Sequence, residues 1–180
     1  MTIHNEHPFL PGDADRSPVR RLRGRLASPV TIWAAEHDTD GDRRRAGLTV
    51  SSLLVADGEP GYVIGMIDPL SDLWDALRVS RSAVVNVLGW QHRSLADVFG
   101  YVAPAPGGPF KQADWQVTQW GPALQGCSWA GCRLAGEPAT ETDTVGWGLL
   151  VRLVIEHTEL ADDSESAGPL VHRRGRYHTF

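Results

Sequence analysis

Glycine and proline punctuate this chain densely, with 19 glycines and 12 prolines among 180 residues. Glycine loosens the backbone; proline locks φ and removes a donor. Such a chain folds into many short elements rather than a few long helices. A parallel α/β layout is disfavoured too, because the regular crossover helices it needs are missing. The length suits one domain, and 42% hydrophobic against 22% charged residues is a globular balance rather than a disordered one.

Local patterns place the elements. Residues 1–17 read as a flexible N-terminal tail, and 18–180 as one domain. Ser17-Pro18 is a helix start, with Val19, Leu22 and Leu26 spaced for an amphipathic helix over 18–26. Val30 to Ala35 and Gly47 to Ala56 read as strands joined across a charged turn, Asp38 to Arg45. Gly61 to Ile67 and Ser82 to Leu88 are further strands. Short helices fit Leu70 to Leu77 and Arg93 to Phe99, and Ala103 to Phe110 is a loop. Strands are expected at 126–135, 145–157 and 169–173, with a polar turn at Asp162 to Gly168. Short strands with a few short helices indicate a small barrel or sandwich, a β-rich α+β fold.

Charge and cysteine count narrow the function. A net charge of -5 argues against nucleic-acid binding, which rests on phosphate attraction. Two local basic runs, Arg20 to Arg25 and Arg43-Arg44-Arg45, read as a solvated helix face and a charged turn. Cys127 and Cys132 are too few for a disulfide framework or a complete cysteine zinc site; no metal is expected. The polar N-terminus is no signal peptide, and no apolar run reaches membrane-helix length, so a cytoplasmic protein is expected. Gly-x-Ser-x-Gly, a phosphate loop, His-Glu-x-x-His and Gly-x-Gly-x-x-Gly are all absent.

Four stretches, in this order, resemble the flavin reductase family. They are Pro29-Val30-Thr31-Ile32-Trp33; Ala46-Gly47-Leu48-Thr49-Val50-Ser51-Ser52-Leu53; Ser80 to Leu88 with Leu95 to Phe99; and Gly168-Pro169-Leu170-Val171-His172-Arg173-Arg174-Gly175-Arg176-Tyr177. The resemblance covers 20–178. It implies an FMN-binding split β-barrel with a few short helices, a homodimer, FMN as cofactor with FAD as the alternative, and NADH or NADPH as electron donor. A partner monooxygenase receiving reduced flavin is implied as well.

The resemblance assigns flavin contacts to Thr49, Val50, Ser51 and Ser52, and to Ser80, Arg81, Asn86, Val87 and Leu88. Strand alternation argues that the three hydroxyls cannot all face one ligand unless the strand ends or bulges there. A Thr/Ser-rich exposed strand, a solvated Arg81 and a turn-satisfying Asn86 are the alternative readings. Each of the seven tryptophans is read first as packing. Trp120-Gly121-Pro122 and the loop before Phe110 are candidates for a ligand mouth or dimer contact.

One position departs from the family. In Glu141-Thr142-Asp143-Thr144-Val145, Thr144 stands where the family often carries a histidine that engages the nicotinamide. His157 and His172 are the nearest later histidines and read as surface residues. Three functions stay open: a nicotinamide-dependent flavin reductase, a flavin carrier without such turnover, and an interaction domain that has lost flavin. No catalytic side chain is assigned.

Overall fold

The computed structural model describes residues 17–39, 41–137, 143–162 and 168–180. The predicted tail, 1–17, lies outside them except for Ser17, as do Glu141, Thr142 and the middle of the expected turn at 162–168. Helix α1 (Pro18–Arg23) starts where expected, with the Ser17 hydroxyl accepting from Arg20 N at 3.3 Å. It stops at Gly24, short of the predicted residue 26. Its apolar stripe is not packed among the described residues: Val19, Leu22 and Leu26 are 76%, 65% and 61% exposed.

The strands are β1 (Ser28–Pro29), β2 (Thr31–Thr39), β3 (Asp42–Val50), β4 (Leu53–Ala56), β5 (Tyr62–Ile67), β6 (Ser82–Val87), β7 (Trp115–Thr118), β8 (Gly121–Leu124) and β9 (Trp129–Leu134). They are followed by β10 (Asp143–Val145), β11 (Gly148–Glu159), β12 (Val171–Arg173) and β13 (Arg176–His178). The main sheet runs β3-β2-β6-β9-β11-β5-β4, with β10 beside β11, and all pairings are antiparallel. β3 returns against β5, so the sheet curls into a barrel.

Helix α2 (Asp72–Ser80) plugs this barrel. The Ser71 hydroxyl caps it, Asp72 and Asp75 favour its positive end, and Leu73, Trp74, Ala76 and Leu77 are buried at helical spacing. They join Trp33, Val50, Val63, Val85, Val151 and Leu153 in the barrel interior. Gly65 is required there: a Cβ would lie 2.7 Å from the Trp33 ring.

Strand alternation sends Val30, Ile32 and Ala34 to the other face. There they pack with Leu88, Leu124, Leu170 and helix α3 (Arg93–Phe99). β6 is therefore buried on both faces except at Val87.

Three expectations change. The Asp38–Arg45 turn is mostly ladder, because Glu36, His37 and Asp38 pair across from Arg45, Arg44 and Arg43. The second expected strand breaks into β3 and β4 at Ser51-Ser52. The hairpin β7–β8 is new; Gly121 and Pro122, named only as a candidate ligand mouth or dimer contact, lie in its second strand.

Candidate functional site

β2 lies between β3 and β6, so register decides which residues share a face. Thr49, Ile32 and Asn86 form one row, and Val50, Thr31 and Val87 the next. Thr49 and Asn86 therefore face the outer layer. The Thr49 hydroxyl donates to the Ala96 carbonyl at 2.7 Å, tying β3 to α3. Asn86 is fully buried; its amide donates to Ile32 O at 3.1 Å, and its Oδ1 accepts from Leu124 N at 2.7 Å. These bonds hold β8 onto β6. Burying such an amide unpaired would cost about 1–3 kcal/mol.

The second row ends at a surface. Val50 is core, but Val87 is 48% exposed. Leu88 N donates to Val30 O and Leu88 O accepts from Leu170 N, so the C-terminal segment is laced against β6. Here an apolar groove of about 250 Å³ opens, lined by residues that include Ala27, Pro29, Val87, Leu88, Leu170 and Phe180.

Beyond Val50 the strand ends, which frees Ser51 and Ser52 from alternation. Both are half-buried. The Ser52 hydroxyl accepts from Arg23 Nη2 at 2.7 Å, and Ser52 O accepts from Met66 N at 2.9 Å. Arg23 thus brings α1 to this rim.

Further polar residues gather near it. Tyr177 is hydrogen-bonded to Asp97; burial first, then the Asp97 charge, pushes the phenol well above its usual range. The rings of His172 and Tyr177 meet edge to face at 5.8 Å. Burial holds the His172 pKa below its ordinary value; the Arg23 and His178 charges add to this and Asp97 opposes it. Asp97 and Tyr177 had no assigned role in sequence, and His172 was read as a surface residue. Nothing in sequence showed that α3, α1 and the C-terminal hairpin converge.

Ser80 and Arg81 stand apart from these groups. They precede β6, whereas Val87 ends it, a separation of about 20 Å at roughly 3.3 Å per residue. The Ser80 hydroxyl donates to Ser82 O at 2.9 Å. Arg81 caps α2 with φ 62°, and its guanidinium donates to the carbonyls of Leu134 and Gly136. Both therefore lie at the opposite end of β6 from Val87.

Thr144 lies on β10 opposite Leu149, in a hairpin whose turn carries Trp147, 99% exposed. That tryptophan breaks the packing expectation, whereas Trp33, Trp74 and Trp129 are buried. His157 stacks on Trp120 at 5.2 Å and 12°, and His172 packs on Tyr177, so the two histidines have separate partners. Burial raises the Cys127 thiol to about 11 and Cys132 to about 12, which makes both poor nucleophiles. Among the described residues, no group of three or more His, Cys, Asp or Glu could hold a metal.

An apolar groove beside a rim of hydroxyls and a guanidinium fits a group with a flat ring at one end and a phosphate at the other.

Comparison with known proteins gives the family. The model of the flavin reductase like domain matches residues 23–180. An FMN reductase (NADH) RutF 1 of Methylorubrum extorquens is 28% identical over 178 residues, covering 98% of this chain and 81% of its own. The reductase component of the FADH(2)-dependent resorcinol hydroxylase of a Rhizobium species is 26% identical, covering 97% and 90%. Among solved structures, the Streptomyces globisporus C-1027 NADH:FAD oxidoreductase SgcE6 superposes with a TM-score of 0.76 at 18% identity, covering 95% of this chain and 96% of that one. With a strand-rich antiparallel barrel and a family match over nearly its whole length, the chain belongs to the flavin reductase family and has its split-barrel fold.

Proposed function

We propose that this chain is an FMN reductase that draws on NADH or NADPH and passes reduced flavin to an oxygenase partner. The carrying observation is the pairing of the apolar groove at Val87 and Leu170 with the polar rim at Ser52 and Arg23. Val50, just before the rim, and Val87, at the groove, lie in one row with Thr31 between them, which supports a single ligand spanning both. Ser51, Ser52 and Arg23 would hold the phosphate or ribityl end, and the groove would receive the ring. Thr49 and Asn86 would act by positioning the two walls.

The bound flavin would supply the redox chemistry. The protein's part is to hold the ring against a nicotinamide and to exclude water. FAD would take the same rim through its flavin half. The homodimer is supported by uncovered apolar surface, Val19, Leu22 and Leu26 on one side and Trp147 on another. A cytoplasmic setting is part of the same reading; no helix among the described residues is long and apolar enough to cross a membrane.

A second reading, a flavin carrier without nicotinamide turnover, is favoured by Thr144. Gel filtration with added FMN, followed by anaerobic NADH or NADPH, separates the two. Bound flavin that bleaches supports the reductase, and faster bleaching in Thr144→His supports a role for that position. Flavin that stays yellow supports the carrier. Colourless protein ends both readings. Light scattering on the same peak gives the oligomeric state.

A further inference from the structure

Two basic runs far apart in sequence meet beside the candidate flavin rim. α1 and the turn after it carry Arg20, Arg21, Arg23 and Arg25, and the β12–β13 hairpin carries Arg173, Arg174 and Arg176. The backbone fastens them together: Arg174 N donates to Gly24 O at 2.7 Å, and Arg173 Nε donates to Arg25 O at 3.3 Å. Seven of the chain's 17 basic residues therefore lie on these two joined segments, in a protein with net charge -5. All seven are exposed. The ion pairs among the described residues form elsewhere, around Glu36, Asp42, Asp75 and Glu156. Among the described residues, Asp97 lies on this side and is engaged by Tyr177.

The hairpin also accepts a backbone cost to present this charge. Its two-residue turn is Arg174-Gly175, with φ of 51° and 76°. Asparagine or glycine suits the first position; an arginine there sits in the left-handed region at about 1–2 kcal/mol. A locally unfavourable residue that adds like charge to a crowded face points to a ligand rather than to folding.

We propose that the arginines of α1 and of the β12–β13 hairpin form one anion cradle that takes the diphosphate of a dinucleotide bound at the adjoining rim. The proposal rests on the flavin reading of that rim. Arg23 links the two, since it reaches Ser52 from the same helix turn that bears Arg20. Guanidinium groups match phosphate oxygens two at a time and stay charged at any working pH. FMN carries a single phosphate, which Ser52 and Arg23 would meet. The remaining arginines then face a second phosphate, supplied by the ADP half of FAD or by the ADP half of NADH.

Calorimetry on the full chain tests this with ADP, FMN, FAD and NADH at 50 and 300 mM NaCl. The variants are Arg174→Ser with Arg176→Ser in the cradle, and Arg43→Ser with Arg44→Ser as a charge-matched control. The expected result is ADP binding that weakens about tenfold in the cradle variant and is unchanged in the control. FAD is expected to exceed FMN in affinity, with the gap closing in the cradle variant and at high salt. Loss confined to FAD assigns the cradle to the flavin; loss confined to NADH assigns it to the donor; either supports it. ADP that fails to bind, or binds both variants alike, overturns the cradle. FMN binding without ADP binding would sink the cradle alone, whereas arginine-dependent ADP binding without FMN binding would sink only the flavin reading.

Discussion

Two arginine runs that look alike in sequence meet opposite fates in the fold. Arg43-Arg44-Arg45 lies on β3, in register with Asp38, His37 and Glu36 on β2. Arg45 Nε pairs with Glu36 at 2.9 Å, Arg43 approaches the same carboxylate at 3.5 Å, and Arg44 pairs with Asp42 at 3.1 Å. The run on α1 faces no such ladder. It abuts three more arginines from the C-terminal hairpin. The first run is neutralised by its own hairpin; the second forms no such ion pair among the described residues. A count of charges cannot separate the two, because the difference lies in what the fold places opposite.

Arg81 sharpens the contrast from the other side, since its guanidinium is engaged by backbone carbonyls. Arg81→Ala should cost about 1–3 kcal/mol, because partnered carbonyls are left unmet. Chemical denaturation measures this, and ADP affinity should not change. If nucleotide affinity falls instead, Arg81 belongs with the cradle and the contrast fails.

Arg174→Asn should shift stability the other way. It relieves the left-handed strain and removes one crowded charge, so it should stabilise by about 0.5–1 kcal/mol at low salt. A destabilised Arg174→Asn would show that the arginine serves the hairpin rather than a ligand.

In the paired run, Glu36→Gln should destabilise by about 0.5–1 kcal/mol, less at high salt, as expected for a half-exposed pair. A neutral outcome would mean that both runs are equally idle in folding.

The smallest effect concerns His172. Its folded pKa lies below the ordinary value, so the unfolded chain binds the proton more readily. Stability therefore falls as pH drops below about 6.5, the unfolded value. Burial is the first cause and Arg23 the second. Arg23→Gln should raise the His172 pKa, measured by NMR titration, and soften the acid loss. An unchanged titration would place Arg23 too far away to act.

Much of the architecture was legible in the amino-acid pattern. Helix α3, strand β6 and the buried helix α2 follow from spacing, because a 3.6-residue or two-residue apolar period demands one face inward. The site was less legible. The resemblance pointed to Thr49 and Asn86, and the structure engages both with backbone partners. Ser52 stood out equally and reaches the rim, because β3 ends just before it. Arg23 and His172 were read only as solvated or surface residues, and Asp97 and Tyr177 were given no role, because each is ordinary in its own segment. Hairpin β7–β8 escaped because Gly121 and Pro122 are turn-formers by local preference, and only cross-strand bonding overrides that preference.

By itself, then, the sequence determined a short-element, antiparallel β fold and the family to which it belongs. Periodicity and turn chemistry are local properties and survive in one dimension. Only the tertiary structure decided that α1 meets the C-terminal hairpin, that one arginine run is neutralised while another is gathered, and which side-chain and backbone partners engage Ser80, Arg81 and Ser52. Those outcomes depend on register and long-range closure, where the energy comes from partners many residues away and leaves no mark on the local pattern.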